Sequence, residues 1–163
     1  MEFKKGPRHN EIIGECGKHI LLNWLSRSGF EVCMVDHPGL DVIAYHPAMK
    51  QRLGITVKSR TRTAGAENSS VNLMSYSKGK DDRQKLLDAC KAFSCEPYLA
   101  IYIETSDSSD LFLTSLENYD KKYRSKEWKT LDDWKMGETF FLQYDNDDEV
   151  RHVHMIFDRN NWE

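Results

Sequence analysis

No run of about 18 apolar residues occurs in this chain of 163, so a membrane-spanning helix is not expected. The opening stretch MEFKKGPRHNE also lacks the apolar segment a signal peptide needs. Four cysteines are present (Cys16, Cys33, Cys90, Cys95), but no CxxC pair is. Two of them fall inside apolar patterns, where a thiol packs like a small hydrophobe, which suits a reducing compartment and argues against a structural zinc site. These absences together predict a soluble, cytoplasmic protein with no membrane partner. Net positive charge is missing too. The formal value of −3 excludes nucleic-acid binding as a whole-protein property and confines any such site to a local patch. Internal repeats and low-complexity tracts are absent. With 39% hydrophobic residues, the chain is expected to form a single domain over 1–163.

One local absence marks the patch. Between Val42 and Ala66 there is no Asp or Glu, while Lys50, Arg52, Lys58, Arg60 and Arg62 fall in that interval. Residues 117–149 have the opposite bias, with ten acidic residues against six basic ones. The charge is segregated along the chain.

Ile13, Cys16, Gly17, Ile20, Leu21, Trp24 and Leu25 recur at the three-and-four spacing of an amphipathic helix over 9–28, which Gly29 would cap. Strands are expected at 30–36, 40–45 and 53–62, with Pro38-Gly39 turning the first into the second. Residues 63–80, rich in Ser, Asn, Gly and Lys, read as a long surface loop. Asp81 and Asp82 then suit the start of a second helix over 82–94. The near-continuous apolar run YLAIYIE (98–104) reads as a central strand, with DLFLTSL (110–116) beside it. In the 117–163 extension, GETFFLQY and VRHVHMIFD flank DNDDE and read as a β-hairpin.

Within this frame, Asp41 opens one strand and Lys58 stands late in the next. Phosphodiester hydrolysis at neutral pH needs an ion of the Mg²⁺ type on oxygen ligands, an activated water and compensation for charge building on the phosphate. A carboxylate and an ammonium on adjacent strands can serve those needs at one point. The segments "GLDVIA" and "TVKSRTR", in a helix–β–β–β–helix–β order, resemble the PD-(D/E)xK superfamily of restriction-endonuclease-like nucleases and Holliday-junction resolvases. The resemblance covers residues 8–116. It implies an α/β fold with a mixed central sheet flanked by helices, and a Mg²⁺- or Mn²⁺-dependent endonuclease hydrolysing DNA. Asp41 then falls on the family's metal-binding aspartate and Lys58 on its lysine. DNA is the implied partner, and nucleases of this type often act as homodimers.

The pattern departs from the family at Thr56, where an acidic residue belongs two positions before the lysine. A threonine carries no charge at neutral pH, so the ion loses a strong ligand. Replacement carboxylates available downstream are Glu67, then Asp81 or Asp82. Many superfamily members also place a glutamate on the first helix. Here Glu11 and Glu15 share a helix face, and the "GE" at Glu15 matches the family's usual form. Thr56 and the Val57 carbonyl remain as weak ligands. Thr56 also favours a rival reading, a catalytically silent fold used as a DNA- or protein-binding module.

Lys58, Arg60 and Arg62 alternate along one strand and so share a face. They suit either a solvated edge guarded by charge or a row of phosphate contacts, which Lys50 and Arg52 would extend. His152 and His154 alternate in the same way, but two imidazoles without a third ligand nearby make a poor zinc site. Trp24 belongs to the helical stripe and so to the core. Trp128, Trp134 and Trp162 sit in the polar tail, where they suit packing the extension down or stacking on bases, and packing is the favoured expectation.

Overall fold

The structure is a computed structural model and describes residues 5–63, 65–77, 79–127 and 130–157. The first helix, α1 (His9–Arg27), forms where the apolar stripe predicts it, and Gly29 follows its end at φ +90°. Ile13, Gly17, Leu21 and Leu25 are its buried residues, four apart, while Cys16, Ile20 and Trp24 pack beside them. Three antiparallel strands come next: β1 (Glu31–His37), β2 (Leu40–His46) and β3 (Gln51–Thr61). The second helix, α2 (Asp82–Ala92), is capped by the Asp81 carboxylate, which accepts from the Gln84 N–H.

After α2 the chain returns as β6 (Glu96–Glu104), parallel to β3, and then as β7 (Ser108–Ser115), antiparallel to β6. The last strand, β9 (Val150–Ile156), closes a six-stranded mixed sheet in the order β1-β2-β3-β6-β7-β9. The two sheet faces carry separate cores. Alternation on β3 sends Ile55 and Val57 to the α1 face, together with Leu21, Ala100 and Tyr102. Leu99, Ile101, Ile103 and Phe112 build the opposite face with α2 and the extension. Close packing at α2 depends on Gly54 in β3, where an added Cβ would stand 2.6 Å from Cys90 Sγ and 3.0 Å from Cys95 Cβ.

Two expectations are corrected. Residues 63–80 are not loop throughout, since β4 (Val71–Ser77) and the short β5 (Lys80–Asp81) form a second sheet with β8 (Leu131–Trp134), ordered β5-β4-β8. A register shift between Asn72 and Met74 breaks the two-residue period there, so the adjacent Leu73 and Met74 are both buried and the sequence alternation is lost. The C-terminal β-hairpin does not form either. GETFFLQY is the helix α4 (Glu138–Asp145), entered through Gly137 at φ +119°, and β9 pairs with β7 instead. A further helix, α3 (Leu116–Lys122), links β7 to the extension.

Trp134 is fully buried, stacked on Tyr144 and close to Phe112 and Tyr123. It packs the extension down as expected. Trp128 and Trp162 lie outside the described residues. Asp147, in the α4–β9 turn, ties the extension together by accepting from Lys122 (2.7 Å), Tyr123 (2.5 Å) and Asn118 (3.0 Å). Burial works to raise its pKa, but these donors and the Glu149 N–H outweigh it and hold the carboxyl well below the usual carboxylate range. A depressed folded pKa stabilises above the unfolded value of about 3.9 and loses that contribution as pH falls through the folded value. Asp147→Asn should therefore cost about 2 kcal/mol at pH 7, read from urea midpoints, and that deficit should begin to shrink only as pH falls below about 4. A deficit that persists unchanged at pH 2 would refute this role.

Candidate metal-dependent nuclease site

The site is built where β2 and β3 part. Their ladder runs from His46↔Gln51 to Val42↔Ile55, and one residue beyond it the Asp41 side chain takes over from the backbone. Its Oδ2 accepts from the Val57 N–H at 2.7 Å and from the Thr56 hydroxyl at 3.3 Å. Asp41 is therefore more than a turn residue after Pro-Gly, because its carboxylate clasps the strand that carries Lys58. Thr56 and Lys58 alternate onto the face of Leu99 and Ile101, their partners on β6. Lys58 thus stands one pleat repeat, roughly 6.6 Å, beyond the residue that touches Asp41.

The second carboxylate stands on α1, which packs on the Ile55 and Val57 face of the sheet, opposite the face that Thr56 and Lys58 share. Glu15 is exposed, as its place off the apolar stripe suggests, and is bound by Lys18 one turn on, Nζ to Oε1 at 2.8 Å. The same ammonium lies 4.0 Å from Asp41 Oδ1. One cation thus stands between the carboxylates of α1 and β2. The hydrogen bond from Lys18 is the main cause holding the Glu15 carboxyl below its ordinary value, and it raises Lys18 in return. Lys18 was not singled out from sequence, although its position three residues after Glu15 was legible. Glu11 instead pairs with Arg8 at the exposed helix start.

The other acidic candidates fall elsewhere. Glu67 is exposed on a turn between β3 and β4. Asp81 caps α2, and Asp82 accepts from the Ser75 N–H at 3.0 Å. Among the basic residues, Arg60 is exposed and donates to the Ser59 carbonyl at 2.7 Å. Arg62 donates to the carbonyls of Ser69 (3.1 Å) and Ser70 (2.8 Å), so its guanidinium shapes the loop before β4. Lys50 and Arg52 stand at the other end of β3, roughly 20 Å of strand from Lys58, and the fold does not bring them to the Asp41 site.

A separate cluster corrects the reading of the two histidines. Asp110 on β7 lies opposite His154 on β9, and its Oδ1 is 2.8 Å from His152 Nε2 and 2.7 Å from His154 Nδ1. The third side chain of ligating chemistry that the HVH segment lacks in sequence therefore stands on the neighbouring strand.

No family model matches the chain, and no curated protein does. Among solved structures, Hjc, a Holliday junction resolvase from the archaeal hyperthermophile Archaeoglobus fulgidus, superposes with a TM-score of 0.55. The match covers 80% of this chain and 88% of that one, at 18% identity. The fold is restriction-endonuclease-like. At that identity the likeness extends to the fold and no further. Among the described residues, no helix is long and apolar enough to cross a membrane.

Proposed function

We propose that this chain is a divalent-metal-dependent DNA endonuclease centred on Asp41, Lys58 and Glu15. The observation that carries the reading is the Asp41 carboxylate at the parting of β2 and β3, clasping the strand that presents Lys58. The donor set fits a hard cation. Mg²⁺ is commonly held by one or two carboxylates, with water and substrate phosphates completing its shell. Asp41 and Glu15 already hold positive charge between them, in the form of the Lys18 ammonium. The Thr56 hydroxyl and Val57 carbonyl add neutral oxygens, and Glu67 is a lower-ranked carboxylate that would need loop movement. When bound, Mg²⁺ or Mn²⁺ would supply an activated water and offset charge on the phosphate.

The chain's own groups do the rest. Asp41 orients the ion and Lys58 steadies a phosphate oxygen or the attacking water. Arg60 contacts the DNA backbone, and Arg62 does so only if it releases the loop carbonyls. Lys50 and Arg52 would touch duplex well away from the cut. A homodimer would present two such centres, one for each strand.

The silent-module reading has its own support, since Thr56 removes a charged ligand and Lys18 occupies the space between the remaining two. Cleavage of supercoiled plasmid and of a four-way junction in Mg²⁺ or Mn²⁺ separates the readings. The nuclease reading expects nicking that Lys58→Ala abolishes and that Thr56→Glu, by restoring a charged oxygen ligand, accelerates. If neither wild type nor Thr56→Glu cuts, and both bind DNA with steep salt dependence, the fold serves binding alone.

A further inference from the structure

We propose that Asp110, His152 and His154 form a second metal site, for a borderline transition ion of the Zn²⁺ or Co²⁺ class, that clips the edge strand β9 to β7. Among the described residues these three each offer a ligand atom, all within 4.8 Å of one another. Both imidazoles aim a nitrogen at the same oxygen, Asp110 Oδ1. A tetrahedral ion about 2.0–2.2 Å from each ligand keeps its ligand atoms roughly 3.3 Å apart. Around such an ion the present 2.7 and 2.8 Å contacts would open by about half an ångström, while the two imidazole nitrogens stand within 4.8 Å of one another.

The surroundings are those of a prepared site. The other nitrogen of His152, Nδ1, is held by the Asp145 carboxylate of α4 at 2.7 Å. That carboxylate–histidine pairing recurs behind metal-bound imidazoles, where it fixes the tautomer and raises the basicity of the ligating nitrogen. The His152 ring is further locked by stacking on Phe112, centroids 4.3 Å apart at 14°. Asp110 is only 8% exposed, whereas the His154 side chain is half exposed and leaves room for a water as fourth ligand.

The site is distinct from the proposed nuclease centre in place and in chemistry. Arg60, Ile103, Asp110 and His154 form one row across β3, β6, β7 and β9, so the trio lies two or more strands from the strand that bears Lys58. Imidazole nitrogens select Zn²⁺, Co²⁺ or Ni²⁺, whereas oxygen-only sites suit Mg²⁺. The same hydrogen bonds could join Asp110 to the two histidines through protons alone, and the experiment separates the cases.

The test is a Co²⁺ titration of the untagged full chain after treatment with chelator, followed by visible ligand-field absorption and then by competition with Zn²⁺. One equivalent should saturate the signal, Zn²⁺ should erase it, and Zn²⁺ should raise the melting temperature. His154→Ala, at a half-exposed position, and Asp110→Asn should each weaken binding at least tenfold while keeping the wild-type circular dichroism. Asp41→Ala should leave the titration intact. The proposal is overturned if no saturable absorption appears, if His154→Ala binds as wild type does, or if Asp41→Ala abolishes the signal.

Discussion

Asp41→Asn should lower the rate of Mg²⁺-dependent DNA cleavage by on the order of 10³-fold, a loss of about 4 kcal/mol in transition-state stabilisation. In the proposed function the carboxylate has two tasks, which this substitution separates. An amide oxygen can still accept from the Val57 N–H, so the parting of β2 and β3 keeps its clasp, but the negative charge that attracts the ion is gone. Asp41→Ala removes both and should be equally inactive and also less stable, by about 1 kcal/mol for the lost hydrogen bond. Initial nicking rates on supercoiled plasmid, read beside thermal melts of both variants, check the pair. Cleavage by Asp41→Asn within a fewfold of wild type would remove Asp41 from the chemistry.

The largest stability effect is expected at Trp134. Truncation to Ala should cost about 3–5 kcal/mol, the usual range for a fully buried aromatic, and lower the melting temperature by roughly 10 °C or more. The ring lies nearly flat on Tyr144, with centroids 4.1 Å apart, and Phe112, Tyr119 and Tyr123 complete its walls. These residues come from β7, α3, α4 and the segment after α3, so the cavity would open where the extension meets the sheet. Trp134→Phe keeps part of that contact and should cost less than half as much. Calorimetry or urea unfolding decides the matter, and a loss under 1 kcal/mol for Trp134→Ala would show that the extension is held by something else.

What was legible in the sequence follows from how local each signal is. The α1 stripe, the Gly29 stop, the Asp81 cap and the apolar run of β6 are encoded within a few residues, and each forms where expected. Asp41 and Lys58 could be singled out because strand starts and alternation are local as well. β4 was hidden by its bulge, and α4 by an aromatic run, TFFLQY, whose strand propensity is overridden once Phe140 and Phe141 pack against the core beneath α4. The Asp110 partner of the two histidines depends on the β7–β9 register across more than forty residues, which no local pattern states. Lys18 is the opposite case. Its spacing from Glu15 was visible, but its approach to Asp41 depends on how α1 packs over the sheet, with Gly17 against Tyr102.

The most direct test is a Mn²⁺ soak of crystals of the wild-type chain, with the ion located by its anomalous scattering. The expected result is a peak about 2.2 Å from an Asp41 carboxylate oxygen, with Lys58 facing it and the Lys18 ammonium displaced from between Glu15 and Asp41. A Lys18 ammonium still seated between those two carboxylates, with no manganese at Asp41, would contradict the metal-dependent centre.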